Sequence, residues 1–483
     1  MRYRVVARIL GKIVMLVGLS MLVPCLLALY YGEGEWRSFI YSSAVALAVG
    51  LPLSCCPGQG AGEIRRREGC VIVTLSWLAA SLFGALPYLF SGTFNSFADA
   101  LFETVSGFTT TGASVMTDIE GHPRSVLFWR SMTQWLGGMG IVVLFVALLP
   151  QPGTGALQML QAEAPGPVAE KIKPRIKETA KILWLTYLSL SGAAAILLWA
   201  AGMPLYDAVV HTFATMATGG FSTKNASMGY YQNAAVHWIV IVFMFLAGVN
   251  FALYYQALRS KNPLYFWRSP EFKLYSLLIA GSVLLVALNL WRAGRYEGEY
   301  LLRQAAFQVV SIVTTTGFAT DDFDAWPNFS RLLLLSLMFV GGCYGSTGGS
   351  IKVGRHLVLL KNAGAELYRL IHPHAVIPVR LGGTTVVKEA MVLHALQFVG
   401  LYALIFVLGS LVLSLTRVDL VTAVTAAAAT LGNVGPGLGA VGPTQNFAHF
   451  PEAAKYFLSW LMLVGRLEIY TVLVLFLRAT WKK

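Results

Sequence analysis

The stretch Ser311–Asp322, SIVTTTGFATDD, decides the fold, because three weaker copies of it stand elsewhere in the chain. They are GFTTTGASV at Gly107–Val115, FATMATGGFST at Phe213–Thr223 and ATLGNVGPG at Ala429–Gly437. Superposing the four on Gly112, Gly220, Gly317 and Gly435 brings the upstream residues into register as well. Thirteen positions before each glycine stand Asp99, Asp207, Gln304 and Thr422, and the next residue is alanine every time: Ala100, Ala208, Ala305 and Ala423. The glycines are 108, 97 and 118 residues apart, spacings that mean repeated subdomains and not a solenoid. Each copy is a short helix-compatible run ending in Thr and Gly, set between long apolar segments. Four such units around one axis predict a pore.

Composition fixes the solvent. Of 483 residues, 56% are hydrophobic and 12% charged, with a mean hydropathy of +0.64, which is the balance of an integral membrane protein. The apolar runs are too long and too continuous for barrel strands, so the class is all-α. A net charge of +13 is accounted for by basic cytoplasmic loops and needs no nucleic acid. Ile9–Tyr31 is too long for the apolar region of a cleavable signal. The cysteines lack metal spacing and read as inert buried thiols.

Basic clusters then set the topology. MRYRVVAR precedes the first run, Arg65–Arg67 follow the second, and Lys171–Lys181, Arg259–Lys273, Arg369–Arg380 and Arg478–Lys483 mark the same side again. Both termini are therefore expected in the cytoplasm. Residues 1–69 read as an added two-helix unit and 70–150 as the first repeat. A cytoplasmic linker (151–181), a second repeat (182–260) and a third (261–360) follow. A second linker (361–389) and a fourth repeat (390–483) complete the chain. The sum is ten spans and four re-entrant loops. The short runs Phe97–Phe108, Tyr206–Ala217, Leu301–Val313 and Leu420–Thr430 cannot cross about 30 Å at 1.5 Å per residue. Irregular backbone at membrane depth is tolerated when it is buried in protein or lines a cavity.

A dehydrated cation needs a ring of oxygens, and backbone carbonyls can supply it where glycine permits unusual angles. The four Thr/Gly loops fit that need, and each preceding helix directs its partial negative end toward the same point. No nucleophile elbow, HExxH or phosphate loop occurs, which speaks against an enzyme.

The loops TTTGAS, TGGFST and TTTGFAT, with GGCYGSTGGSIKVGR (Gly341–Arg355) and the terminal GRLEIYT (Gly465–Thr471), resemble the Trk/Ktr/HKT superfamily of potassium transporters over essentially the whole chain. The added N-terminal helix pair is nearest to the potassium-translocating subunit of the bacterial Trk system. The resemblance implies potassium bound at Thr110, Thr111 and Gly112, at Thr218, Gly219 and Gly220, at Thr315, Thr316 and Gly317, and at Asn433, Val434 and Gly435. In that superfamily a glycine in all four loops goes with potassium over sodium. The fourth loop departs most, with Asn433 and Val434 where threonines stand elsewhere.

GGCYGSTGG at Gly341–Gly349 is poor helix material, since each glycine costs about 1 kcal/mol relative to alanine. It reads either as close helix packing through small residues or as a broken helix. The resemblance favours a gate below the filter, formed by Gly341, Gly342, Gly345, Ser346, Thr347, Gly348 and Gly349 with Arg466 beside it. Lys352 and Arg355 read as inner-face anchors, and Arg130 as a side chain that snorkels or pairs with an acid. His211 and His237 read as ordinary polar packing. The resemblance further implies the bacterial inner membrane, a homodimer and a cytoplasmic nucleotide-binding RCK-type (TrkA-like) regulatory subunit. It implies no organic cofactor in this chain. Proton- or sodium-coupled symport through the same filter is the alternative.

Overall fold

A computed structural model describes residues 1–56, 65–140, 143, 176–375, 377–381 and 386–481. Two helices, α1 (Tyr3–Ser20) and α2 (Leu22–Tyr31), make one 29-residue apolar run, and α3 (Trp36–Ser54) returns against it. Glycines bring α1 and α3 together. A Cβ on Gly11 would lie 2.4 Å from the Ser54 nitrogen and 2.7 Å from the Gly50 carbonyl oxygen.

Four repeats of outer helix, short helix and inner helix follow. The first comprises α4 (Arg66–Gly84) with α5 (Leu86–Phe90), then α6 (Phe97–Phe108) and α7 (Arg124–Gly138). The second is α8 (Ile176–Ala200), α9 (Leu205–Met216), α10 (Ala234–Ala247) and α11 (Phe251–Ser260). The third is α12 (Pro270–Arg292), α13 (Gly298–Val313), α14 (Asn328–Leu337) and α15 (Val353–Ile371). The fourth is α16 (Glu389–Ser414), α17 (Leu420–Leu431), α18 (Glu452–Arg466) and the short α19 (Tyr470–Leu473). The register alanines Ala100, Ala208, Ala305 and Ala423 are fully buried, one on each short helix.

The inner helices depart from the sequence expectation. Two full spans per repeat were expected, but α10 and α11 meet at 92°, and α18 and the turn after it at 115°. Asn250 restarts the helix after the first break, its side chain accepting from the Ala252 N–H at 2.9 Å. At the second break Glu468 and Ile469 adopt φ of 55° and 54°. The third inner helix is open from Met338 to Lys352, and α15 then continues to Ile371 through residues expected to be linker. In the first repeat α7 ends at Gly138; the rest of its expected return and most of the basic linker lie outside the described residues. By length and composition five helices can cross a membrane, or seven counting each bent pair, among the described residues.

Each break is covered by an aromatic residue of the next outer helix. The Tyr187 hydroxyl donates to the Trp135 carbonyl at 3.1 Å, and Tyr275 donates to the equivalent Phe245 carbonyl at 3.0 Å. Tyr402 packs edge-on against Phe339 at 6.2 Å, and Trp77 of α4 closes the circle beneath Arg466. The repeats therefore surround one axis in chain order. Cys25 and Cys343 are buried as expected, whereas Cys55 is exposed.

Gly11→Val should force α1 from α3 and destabilise the protein by about 1–3 kcal/mol, the usual range for overpacking. A lower thermal midpoint in detergent checks it; an unchanged midpoint would contradict the tight crossing.

Candidate functional site

All four short helices end the same way. The residue after the last turn is left-handed at Thr110 (φ 54°), Thr218 (53°), Thr315 (59°) and Asn433 (53°). The next N–H then reaches back to the carbonyl five residues earlier: Thr111 to Ser106, Gly219 to Ala214, Thr316 to Ser311 and Val434 to Ala429, at 2.8–2.9 Å. This is a Schellman cap, which normally takes glycine or asparagine. A β-branched residue there is strained by roughly 1–3 kcal/mol and persists only where its surroundings over-determine it. Three threonines in that conformation mark a functional segment. Asn433 shows that the fourth loop keeps the backbone of the others despite different side chains.

Two residues further on, Gly112, Gly220, Gly317 and Gly435 are left-handed again, with φ between 78° and 98°. A Cβ on Gly112 would stand 2.2 Å from the Gly219 carbonyl oxygen, and one on Gly220 2.0 Å from that of Thr316. On Gly317 it would meet the Val434 oxygen at 2.1 Å, and on Gly435 the Thr111 oxygen at 2.6 Å. The carbonyls of Thr111, Gly219, Thr316 and Val434 thus stand in a closed ring, each against the glycine of a neighbouring loop. No side chain fits at any of the four positions. Such a ring of backbone oxygens can replace the hydration shell of a cation.

The site's register residues brace the ring from behind. Nine positions before each ring glycine stand Glu103, His211, Gln308 and Ala426. Glu103 accepts from the Ser114 hydroxyl and the Val115 N–H, both at 2.9 Å, and from Arg130 Nε at 2.5 Å. Arg130 also donates to the Ser222 carbonyl and lies 3.6 Å over the Phe221 ring, so one buried ion pair ties loop 1 to loop 2. His211 Nε2 pairs with the Ser222 hydroxyl at 2.9 Å. Position thirteen acts likewise where Thr223 donates to Asp207 at 2.8 Å and Thr320 to Gln304. His237 Nε2 donates to the Met228 carbonyl at 3.1 Å. At the outer start of α17, Asp419 accepts from the Thr422 hydroxyl and N–H, which holds its carboxyl below the usual range.

The segment 338–352 lies directly under the ring. The Gly349 N–H donates to Thr315 Oγ1 at 2.8 Å, and a Cβ on Gly349 would lie 2.7 Å from the Gly432 carbonyl. The Cys343 N–H bonds the Gly248 carbonyl and the Phe251 N–H the Gly345 carbonyl, so the loop is seated in the break of the second repeat. Arg466 donates to the Thr347 carbonyl at 2.7 Å and to the Gly137 and Gly138 carbonyls at 2.8 Å. A cavity of about 90 Å³ remains beside it, lined among others by Trp77, Gly138, Ser350 and Lys352.

Here the expectation for Lys352 and Arg355 is corrected. They are not inner-face anchors: Lys352 Nζ lies 3.2 Å from Glu468 Oε1, and Arg355 binds the other carboxylate oxygen, with all three groups buried or nearly so. Their solvent-poor setting follows from the broken fourth helix, which turns Glu468 back toward the loop.

Comparison with known proteins agrees with this geometry. A family model described as TrkH, cation transport protein, matches residues 38–483. The chain belongs to the TrkH family. It is 44% identical to the Trk system potassium uptake protein TrkH of Salmonella typhimurium and 43% identical to that of Escherichia coli, in each case over the whole of both chains. The crystal structure of the potassium transporter TrkH from Vibrio parahaemolyticus superposes with a TM-score of 0.90 at 40% identity, again over both whole chains. A TrkH family member is a membrane-embedded transporter and not an enzyme.

Arg130→Leu should strand the Glu103 carboxylate in the interior and cost about 3–5 kcal/mol. Glu103→Leu combined with Arg130→Leu should recover much of that loss in thermal melts; a double variant no better than the single one would refute the buried pair.

Proposed function

We propose that the chain takes up potassium across the bacterial inner membrane through the four-loop carbonyl ring. The observation that carries the reading is the ring itself: four glycines in register, each closed against a neighbouring carbonyl. That the full-length relatives named above are potassium uptake proteins supports potassium as the ion. Thr110, Thr218, Thr315 and Asn433 begin the filter, and Gly112, Gly220, Gly317 and Gly435 end it.

Segment Gly341–Gly349 acts as the gate. Its hydrogen bond to Thr315 and its contact with Arg466 put backbone and a positive charge on the path below the ring, where both oppose cations. Opening requires the segment to leave the break at Gly248. Glu468, by holding Lys352 and Arg355, keeps the loop's far end in place.

Both termini lie in the cytoplasm on this reading, where the basic segments collect. Beyond the gate α15 leaves Leu367, Leu370 and Ile371 uncovered, an apolar face suited to protein contact, either in a homodimer or with an RCK-type regulatory ring. Any nucleotide dependence belongs to that ring.

Two substitutions test the assignment. Gly317→Ser should reduce discrimination between potassium and sodium in proteoliposomes under opposing gradients; an unchanged ratio would refute the register of the ring. Deleting residues from Gly345 to Gly348 should raise basal flux in protein that still folds, and unaltered flux would leave the segment a packing element. The same vesicles separate a passive pore from symport. Flux that follows the potassium gradient alone marks a pore, and strict dependence on a proton or sodium gradient marks coupling.

A further inference from the structure

The residues around the ends of the four inner helices align as Gln134-Trp135-Leu136-Gly137-Gly138, Met244-Phe245-Leu246-Ala247-Gly248, Met338-Phe339-Val340-Gly341-Gly342 and Met462-Leu463-Val464-Gly465-Arg466. Methionine opens three of them and glutamine the first. All four side chains are fully buried. The exchange preserves length and changes chemistry, since a thioether makes only weak hydrogen bonds whereas an amide donates and accepts.

The filter changes at the matching place. Thr111, Thr316 and Val434 carry side chains at the ring position, but loop 2 has Gly219. In loops 1 and 3 the ring threonine bonds a second hydroxyl behind it, Thr111 to Thr109 at 2.7 Å and Thr316 to Thr314 at 2.8 Å. In loop 2 the amide of Gln134 takes that room: a Cβ on Gly219 would lie 2.4 Å from its Cδ. Gln134 Nε2 donates to the Gly219 carbonyl at 2.5 Å, and Oε1 accepts from the Phe221 N–H at 3.1 Å. The Phe221 donor fixes which end of the amide is oxygen. The two bonds straddle Gly220, so one side chain from the first repeat holds both peptide groups around the filter glycine of the second. Among the described residues no donor reaches the ring carbonyls of Thr111, Thr316 or Val434.

We infer that Gln134 is a specificity-determining positioning residue, which fixes the Gly219 carbonyl and makes one quadrant of the ring unlike the other three. This rests on the reading of the four loops as the filter. A carbonyl that shares its oxygen with an amide donor attracts a cation less and turns less freely. Loss of the clamp lets the Gly219 peptide reorient toward whichever ion is present, and discrimination by a fixed ring is weakened.

The test is Gln134→Met, which gives the first repeat the residue its three counterparts carry. Wild type, this variant and Gly317→Ser are reconstituted in parallel and compared by potassium flux under sodium competition. Gln134→Met should transport potassium with a potassium-to-sodium ratio lowered about tenfold, the weight of one hydrogen bond. If it does not fold, Gln134→Ala relieves any crowding and carries the same expectation. An unchanged ratio in the folded variant, with a lowered ratio in Gly317→Ser, overturns the role of Gln134 and leaves the filter standing. Unchanged ratios in both overturn the filter reading and this inference together.

Discussion

The structure depends on the approach of four backbone carbonyls to four glycine Cα atoms. Each contact is between different repeats, and each forbids even a methyl group. The loops can close this tightly only because the short helices end in left-handed residues, and three of these are threonines that disfavour it. That strain has to be offset elsewhere. The offset comes from hydrogen bonds that the same short helices make to the chain just beyond the ring, from the residue nine or thirteen positions before the glycine. Helix, strained turn and bracing side chain are therefore one unit, repeated with different residues.

The repeats agree in backbone and differ in bracing chemistry. Position nine is Glu103, His211, Gln308 and Ala426 in turn, and only the first brings a charge. A buried carboxylate is tolerable when paired and fully hydrogen-bonded. Glu103 meets that condition through Arg130, Ser114 and Val115. Because Arg130 also binds the second loop, a buried ion pair joins repeats 1 and 2. The same pair of repeats carries the Gln134 clamp. Repeats 3 and 4 meet instead over the glycine-rich segment and the Glu468 cluster. Charge-based bracing and the glycine-rich segment thus fall on opposite sides of the ring.

Sequence made the repeat visible because its strictest demands fall on residue types. A glycine facing a carbonyl and an alanine buried on a short helix admit little else, so their spacing survives in all four copies. The short helices were legible for the same reason, and Phe97–Phe108 has the limits read from sequence. The breaks in the inner helices were not. Gly248-Val249-Asn250 and Leu467-Glu468-Ile469 contain too little glycine to signal an interruption. What stops those helices is tertiary: a tyrosine hydroxyl on Phe245, and Glu468 drawn toward Lys352 and Arg355. Charge–charge contacts across 113 residues of chain leave no local pattern, which is why two buried cations passed for surface anchors. Gln134 carried a signal in its three methionine counterparts, but only once the inner helices were aligned on their breaks.

On the proposed reading, the interrupted inner helices account for one of four equivalent positions serving as a gate. In all four repeats the inner helix ends or is interrupted below the ring, so each has backbone groups there without helical partners. In the second repeat those groups are satisfied by the third repeat's loop, through Cys343 and Gly345. In the first, the Gly137 and Gly138 carbonyls are satisfied by Arg466 of the fourth. Among the described residues the third break is the longest, and its glycines let it lie against the ring without side-chain clashes. Cys343 anchors it in the core, and the glycine-rich remainder is held under the ring by exchangeable polar contacts to other repeats. Such contacts contribute about 1 kcal/mol each and can be replaced by water one at a time. A segment tethered this way can leave the axis while the ring above it, closed by glycine and carbonyl, stays intact.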